Sequence, residues 1–462
     1  MTTPPRMGFA GFVQLLLVVG LAAGLRTGYV HVAADHGRAA PALEVQGSGP
    51  PLHSPDEDPL RQKHSSALED LVQNLTEQHW FGARAPLSEQ TESTAHVAPG
   101  YPWLVAQTGR LDSSPDSWVR WAQCVLGALT AGCLYLFAHR AFGSMIVAFI
   151  AGLLAAVHPF WIINVAELND GVVVTFLLAV ALLLGTRGGQ SGGAFTSLLF
   201  GLSLAGLAMV RATTLPFAVI AVLWFLYQCK HVRHGWFNAV LALLGFANGL
   251  TPWAVRNWRE FEEPVPIVTS AYLHLWIGNN PSATGGPLHE AALRKSLPEV
   301  RLAELLAEPN QARRYARLGR DVLEEIQRDP AATFTRRWQT GFKFLVGEEW
   351  FQKQRMSREA PPGDGVAVET PAWLTANAEA CLQGSLLALV LLGLLGWRWS
   401  HAWTSNARLA TFAFVWLPLP VLLSHAEELA GPRLPWDAVL ICFAAYAISC
   451  LAPSVAGDAE EA

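Results

Sequence analysis

Charged residues are scarce in this sequence of 462 residues. Asp, Glu, Lys and Arg make up 15% of it, against about 25% in an ordinary soluble protein. Basic residues are not in excess, because 32 Lys and Arg stand against 37 Asp and Glu, for a net charge of −5. A nucleic-acid-binding protein needs a concentrated basic face, and a disordered chain needs low hydrophobicity with high net charge. The composition excludes both classes, so we expect no nucleic-acid partner.

Motifs for metal binding and for common enzyme chemistries are also missing. The six cysteines all fall in apolar blocks, and none has the spacing of a metal site or of a disulfide framework. There is no Walker loop, zinc-protease His-Glu motif, serine nucleophile elbow or dinucleotide-binding glycine motif. His231 and His234 flank a basic turn but are a poor candidate pair for a metal. We therefore predict no metal site and no certain cofactor, and dependence on a divalent metal stays open.

Long apolar blocks are what the sequence has instead. Apolar residues make up 52% of the chain, and the mean hydropathy is +0.27. A membrane-spanning helix needs about 20 apolar residues, and tryptophan, common at membrane interfaces, stands at many block ends. The pattern predicts an all-α integral membrane protein with about ten transmembrane helices: Gly8–Leu25, Trp118–Ala138, Gly143–Ile163, Gly171–Gly185, Ala194–Val210, Ala212–Cys229, Trp236–Trp253, Ala380–Trp397, Leu409–Leu423 and Trp436–Leu451.

The orientation of these helices follows from Lys and Arg in the short connections, which favour the cytoplasmic side. With the N-terminus and Arg6 inside, the inner connections carry Arg140, Arg187, Lys230 and Arg233. The first block could also be a cleaved signal peptide, but its apolar run is long for one. The protein is therefore expected in a bacterial inner membrane, with both of its long loops outside the cytoplasm.

Both long loops of the predicted six-part organisation carry amphipathic patterns. These lie at Ser65–His79 in the first loop and at Glu299–Leu306, Ala312–Arg328 and Pro330–Val346 in the second. The arginine-rich face of the middle pattern favours a solvated or headgroup-facing helix, with substrate contact as the alternative. The parts are a first transmembrane helix (1–25), an extracytoplasmic loop with juxtamembrane helices (26–117), transmembrane helices two to seven (118–253), an extracytoplasmic helical segment (254–379), transmembrane helices eight to ten (380–452) and a cytoplasmic tail (453–462).

Charged side chains at the ends of the helices are the candidate functional residues. Asp170, Arg211, Arg256 and Arg433 all fall on the predicted outer face. A charge near the bilayer is costly and usually has a partner or a polar cavity. Arginine binds phosphate oxygens with a two-pronged fork, and a carboxylate can accept a proton from an attacking hydroxyl. This set suits a lipid-phosphate substrate, although Asp170 could instead cap a helix and each arginine could reach to headgroups.

Five stretches in order resemble the GT-C membrane glycosyltransferases, above all the family 39-like group of protein O-mannosyltransferases and lipid A aminoarabinose transferases. Ala98–Pro102 is similar to a PPGYP-type motif, and Leu250–Trp258 contains a Pro-Trp-x-x-Arg-Asn motif. Trp276–Pro281 resembles a Trp-x-Gly-Asn-Asn-Pro segment, and Arg433–Asp437 resembles an Arg-Leu-Pro-x-Asp element before a late span. His158–Asp170 resembles the third span and the second outer loop.

The resemblance implies a GT-C-type helical bundle that uses a polyprenyl-phosphate sugar as donor and works on the extracytoplasmic face. Its partners would be membrane lipid, the lipid-linked sugar and an acceptor glycan, lipid or protein. The second-loop acidic residue of the family matches Asp170, and Arg256 matches an arginine near the lipid phosphate. The substrate-binding residues expected from the motifs are Tyr101, Arg211, Arg256, Asn257, Asn279 and Arg433.

The first outer loop departs from the family pattern. Relatives carry an Asp a few residues before a Tyr, whereas His64 or Ser65 stands at the matching place here. We favour Asp56 or Glu57 as the catalytic base, with Asp35 or Asp70 as alternatives. If none serves, the protein is a catalytically degenerate GT-C-like scaffold or a lipid-binding subunit. A transporter is less favoured, because the charges and the long loops share one side.

Overall fold

The computed structural model describes residues 7–35, 68, 70–88, 90–109, 115–191, 193–230, 235–286, 290–347, 372–403, 406–425 and 433–451. Most of these residues are helical. The helices are α1 (Phe9–Asp35), α2 (Gly100–Gly109), α3 (Pro115–Phe142), α4 (Met145–Val157), α5 (Pro159–Ile163), α6 (Gly171–Ser191), α7 (Ala194–Val210), α8 (Leu215–Cys229), α9 (Gly235–Phe261), α10 (Ala271–Asn279), α11 (Glu290–Lys295), α12 (Glu299–Leu306), α13 (Gln311–Arg328), α14 (Pro330–Val346), α15 (Ala372–Trp399), α16 (Arg408–Trp416), α17 (Leu419–Leu423) and α18 (Arg433–Leu451).

The apolar helices confirm the predicted all-α membrane protein. Six stretches are long and apolar enough to cross a bilayer, and four further helices are apolar but shorter. The six are Phe9–Val32, Trp118–Phe142, Ala212–Cys229, Gly235–Phe261, Asn377–Trp399 and Arg433–Leu451, and the four are Met145–Val157, Gly171–Thr186, Ala194–Val210 and Arg408–Leu423. Together they correspond to the ten predicted blocks.

Several helices continue beyond the apolar block that predicted them. Helix α1 runs on to Asp35, past the predicted end at Leu25, and α9 runs on to Phe261, past Trp253. A charged residue ends an apolar run in the sequence, but it does not end a helix when the fold supplies partners. Arg26 is such a residue, because its guanidinium donates to the carbonyl oxygens of Ala155 and Ala156 at the end of α4.

Glycines bring two of the membrane helices into close contact. A Cβ atom on Gly201 of α7 would collide with the carbonyl oxygen of Ala242 in α9, and one on Gly245 would collide with that of Leu198. Small residues at such crossings allow backbones to approach closely in a membrane. Further along the same pair, a Cβ on Gly249 would collide with Ala205. Ala205 and Gly249 lie further along their helices than both of the first two pairs, so α7 and α9 are parallel and end at the same end of the bundle.

Helix α18 lies inside the bundle. Nearly every residue from Arg433 to Ala447 is buried, as expected for a helix that is apolar around its whole circumference. It packs against α3, α4, α6, α15 and α16. The N-terminal turn of α18 therefore places Arg433 and Asp437 among other helices and not among lipids.

The segment between α9 and α15 forms a second, smaller helical layer. The amphipathic patterns predicted there match α12, α13 and α14 closely. The apolar faces of α12 and α13 join α10 in a small core that includes Trp276, Leu305, Tyr315 and Leu318. Phe344 of α14 packs instead in the core of the membrane bundle. The first-loop segment contributes a π-helical turn (Asn74–Gln78) and a hairpin of β1 (Gly82–Arg84) and β2 (Thr91–Ser93), which pair antiparallel with Ala83 opposite Glu92. This hairpin packs beside the end of α9, where the candidate site begins.

Candidate functional site

Asp170 and Arg211 form an ion pair at one end of the bundle. Asp170 precedes α6 and Arg211 follows α7. The Nε of Arg211 donates to Oδ2 of Asp170 at 2.9 Å, and a terminal nitrogen of the same guanidinium contacts Oδ1. The side chains are 8% and 25% exposed. The predicted second-loop acid and one predicted phosphate-binding arginine thus engage each other in a two-pronged contact.

We expect the Asp170→Asn variant to be less stable than the wild type by about 3 kcal/mol, because it weakens a two-pronged, charge-assisted contact with a largely buried guanidinium. Thermal unfolding in detergent measures the loss. Arg211→Gln is expected to be destabilised to a similar extent. The double variant should lose less stability than the sum of the losses of the two single variants, since the two groups interact directly.

A matched control is the exposed ion pair of Arg313 and Glu263, where Glu263→Gln should leave the melting temperature unchanged. Additive losses in the Asp170 and Arg211 variants would show that the two side chains are not coupled.

Arg256 holds the hairpin of the first loop against α9. One terminal nitrogen donates to the Thr94 carbonyl oxygen at 2.9 Å and to Oδ1 of Asn257 at 3.1 Å. The other donates to the Phe81 carbonyl oxygen at 3.1 Å and to Oγ of Ser93 at 2.7 Å. The guanidinium also lies over the Trp253 ring, 4.8 Å from its centre. All four terminal N–H groups are therefore engaged by the protein, while no described carboxylate hydrogen bonds to this cation.

The two predicted amide ligands, Asn257 and Asn279, donate to backbone carbonyls. The buried Asn257 donates to Val265 and Ile267, 3.1 and 3.2 Å away. Asn279 donates to Leu275 at 2.7 Å and to Leu423 at 3.1 Å. In the structure, Asn257 holds the chain that follows α9, and Asn279 ties α10 to α17.

Tyr101 connects the Ala98–Pro102 motif to the loop between α5 and α6. Its hydroxyl donates to Oε1 of Gln123 at 3.2 Å. The amide nitrogen of Gln123, which is fully buried, donates to the carbonyl oxygens of Val165 and Glu167, both at 2.9 Å. Gly100 leaves no room for a side chain, because a Cβ there would lie 2.8 Å from Val210. The motif therefore fits α2 against the end of α7 and fixes the loop that carries Asp170.

Arg433 and Asp437 form a second, deeper ion pair. A terminal nitrogen of Arg433 lies 3.2 Å from Oδ1 of Asp437, and the side chains are 2% and 0% exposed. The guanidinium also donates to carbonyl oxygens of Phe344, Leu345 and Leu386. Arg433 thereby fastens the end of α14 and one face of α15 to the start of α18.

His158 completes this buried cluster. Its Nε2 lies 3.5 Å from Oδ2 of Asp437, and its Nδ1 accepts the Trp161 backbone N–H. Because Nδ1 accepts that hydrogen bond, the ring proton lies on Nε2, toward Asp437.

Contacts bring the sequence-predicted residues to the same end of the membrane bundle. A small cavity is lined by Arg26, Gly171 and Leu434, among others, so the neighbours of Asp170 and Arg433 meet there. Arg256 reaches the same end, because α7 and α9 are parallel and α7 leads into Arg211.

Sequence reasoning missed three partners of this site: Arg26, Gln123 and Glu92. Arg26 stands alone after an apolar block, which was a usable signal. Gln123 lies inside an apolar block, where a polar side chain also indicates a partner. Glu92 accepts two hydrogen bonds from Arg314, at 2.9 and 3.0 Å, and only the fold brings these residues together.

The predicted bases of the first loop are placed only in part. Asp56 and Glu57 lie outside the described residues, Asp35 is the last residue of α1, and Asp70 is half-buried just before the apolar residue Leu71. Among the described residues, no group of three His, Cys, Asp or Glu side chains is arranged to hold a metal ion.

Comparisons with known proteins give one family match and several matches of fold. The family model described as dolichyl-phosphate-mannose-protein mannosyltransferase matches residues 96–255, about one third of the chain. No curated protein matches the sequence significantly.

Among solved structures, the chain is similar to the archaeal oligosaccharyltransferase AglB from Archaeoglobus fulgidus, in complex with an inhibitory peptide and a dolichol-phosphate. That match has 12% identity, a TM-score of 0.50, and covers 96% of this chain and 50% of the other. A second structure of an oligosaccharyltransferase from this organism, tethered to an acceptor peptide, matches with 14% identity and a TM-score of 0.49, over 96% and 49% of the two chains. ArnT from Cupriavidus metallidurans, bound to undecaprenyl phosphate, matches with 12% identity and a TM-score of 0.36, over 96% and 78%.

The chain is a helical integral membrane protein whose fold is similar to that of the archaeal oligosaccharyltransferase. Its residues 96–255 match the mannosyltransferase family model. The chain spans about half the length of the oligosaccharyltransferase whose fold it shares.

Proposed function

We propose that this protein is a membrane glycosyltransferase that moves a sugar from a polyprenyl-phosphate donor to an acceptor on the extracytoplasmic face. The observation that carries the proposal is the gathering of Asp170, Arg211, Arg256 and Arg433 at one end of a bundle of membrane helices. A lipid tail can stay in the bilayer there while its phosphate reaches the charged end. The family match at residues 96–255 supports sugar transfer, and the matched solved structures contain dolichol-phosphate and undecaprenyl phosphate.

Arg256 is the residue that we assign to the donor phosphate. Its four terminal N–H groups hold the hairpin and Asn257. Its Nε is left for an anion, and no described carboxylate hydrogen bonds to the guanidinium. A guanidinium at the membrane rim attracts phosphate strongly, because the local dielectric constant is lower than that of water. We propose that Arg256 both shapes the phosphate site, by fixing the hairpin, and neutralises the leaving phosphate.

The extracytoplasmic location is part of the proposal. Positive charge in the short connections at the opposite end of the bundle, such as Arg140 and Lys230, favours the cytoplasm for that end. The two long segments, 26–117 and 254–379, would then lie outside, as would the acceptor. A bacterial inner membrane fits this arrangement.

One observation favours a second candidate function, that of a catalytically degenerate scaffold that binds lipid. The guanidiniums of Arg211, Arg256 and Arg433 all donate to the protein itself. A site whose cations are already engaged can hold a fold together without transferring sugar.

The test uses the purified full chain in nanodiscs, incubated with radiolabelled polyprenyl-phosphate sugars and a membrane extract as acceptor, with and without EDTA. Transfer of label to a component of the extract is the expected result. Saturable donor binding without transfer would replace the proposal by the scaffold. Neither binding nor transfer would overturn both.

A further inference from the structure

We propose that Glu167 is the general base that removes the proton from the acceptor. This inference rests on the proposed function and names a residue for its chemical step. Glu167 lies in the second outer loop, between α5 and α6, three residues before Asp170. The reason lies in how the carboxylates at this end of the bundle are engaged.

The carboxylates within the charged cluster already serve as partners of arginine. Asp170 receives a two-pronged contact from Arg211, and Glu92 receives one from Arg314. Asp437 is buried beside Arg433. A carboxylate held in this way must give up charge-assisted bonds before it can accept a proton. The pairs of Asp170 and Glu92 also join two elements of the fold.

The carboxylate of Glu167 differs from these three. It is half-buried, and within the described part of the chain it makes no ion pair and accepts no hydrogen bond. A carboxylate in contact with water at the rim of the cluster can take up a proton without breaking any contact of the fold.

The backbone of Glu167 is fixed, although its carboxylate is not engaged. Its N–H donates to the Asn164 carbonyl oxygen at 3.2 Å, and its own carbonyl oxygen accepts from Gln123 and from the Asn169 N–H. Asn164 and Asn169 exchange two side-chain hydrogen bonds of 3.0 Å. A base must be held in place to act efficiently, and this loop supplies that rigidity.

The Tyr101 hydroxyl adds the link to the Ala98–Pro102 motif. It donates to Gln123, and Gln123 in turn holds the carbonyl oxygens of Val165 and Glu167. Tyr101 is thus a positioning residue that acts on Glu167 through Gln123. The chain of contacts gives that motif a physical role in the reaction.

In the proposed step, the acceptor hydroxyl oxygen forms a bond to the anomeric carbon of the sugar. The bond between that carbon and the donor phosphate oxygen breaks, and its electron pair leaves with the polyprenyl phosphate. The hydroxyl proton passes to the carboxylate of Glu167, which later releases it to water. Atoms and charge balance without any further reactant.

The experiment compares Glu167→Gln and Glu167→Asp with the wild-type chain in nanodiscs. We expect Glu167→Gln to lower kcat by about 100-fold or more, the range for loss of a general base, with donor binding and melting temperature unchanged. Glu167→Asp should keep part of the rate.

Glu324→Gln is the control, since Glu324 is an exposed carboxylate on α13 and should leave the rate unchanged. If the wild type transfers sugar and Glu167→Gln does so at the same rate, this inference is overturned while the proposed function stands. If Asp70→Asn lost the transfer activity while Glu167→Gln kept the wild-type rate, the base would lie in the first loop, and the inference about Glu167 would be overturned as well. Absence of transfer by the wild type would overturn the proposed function and this inference with it.

Discussion

Replacing Asp437 with alanine is expected to destabilise the protein by about 3–5 kcal/mol, the cost of leaving a buried charge without its partner. Arg433 cannot move to solvent in response, because it is 2% exposed and its guanidinium is fastened to carbonyls of α14 and α15. The loss should appear as a large fall in melting temperature in detergent.

The double variant Arg433→Leu/Asp437→Leu separates charge from packing. Apolar side chains of similar volume often replace a buried ion pair without loss, so we expect this variant to be more stable than Asp437→Ala. The ion pair of Arg301 and Glu304 at the surface is the control, and Glu304→Ala should have the same melting temperature as the wild type. If Asp437→Ala has the same melting temperature as the wild type, Asp437 does not stabilise the protein through its ion pair with Arg433.

Arg256→Ala is expected to lower the rate of sugar transfer by about 100-fold or more, because small displacements of positioning groups have effects of this size. Without Arg256, the hairpin loses the hydrogen bonds at Phe81, Ser93 and Thr94. Arg256→Lys should rescue little of the rate, since a single ammonium cannot reproduce the planar fork.

Hydrogen–deuterium exchange gives a readout of the Arg256 prediction that does not depend on activity. We expect faster exchange in β1 and β2 of Arg256→Ala and no change in α18. Arg259→Ala is the matched control, because Arg259 is exposed one turn along the same helix. Unchanged exchange in the hairpin together with an unchanged transfer rate would remove Arg256 from the site.

The membrane helices could be predicted from the sequence because their cause is local. A bilayer requires about 20 apolar residues in a row from a helix that crosses it, and that requirement is visible without any tertiary contact. The amphipathic helices α12 to α14 were predicted closely for a similar reason, since apolar residues recur about every 3.6 positions in a helix that packs one face against a core. The ends of α1 and α9 were placed too early because apolar runs and helices need not end together.

The candidate site was predicted as a set of residues but not as a set of contacts. The motifs drew attention to Asp170, Arg211, Arg256 and Arg433, and the helix directions placed them at one end. The sequence did not show that Asp170 pairs with Arg211, or that Arg256 holds a hairpin. The predicted bases Asp56 and Glu57 stay predictions.

The sequence by itself determined that this protein is a helical membrane protein and which end of each helix carries charge, because the free energy of placing a side chain in a bilayer depends on that side chain and its immediate neighbours. Only the tertiary structure decided which charges neutralise one another, and that the half-buried carboxylate of Glu167 lies beside carboxylates that pair with arginine. Ion pairs such as that of Glu92 with Arg314 join residues far apart in the chain, and their geometry comes from the packing of whole helices.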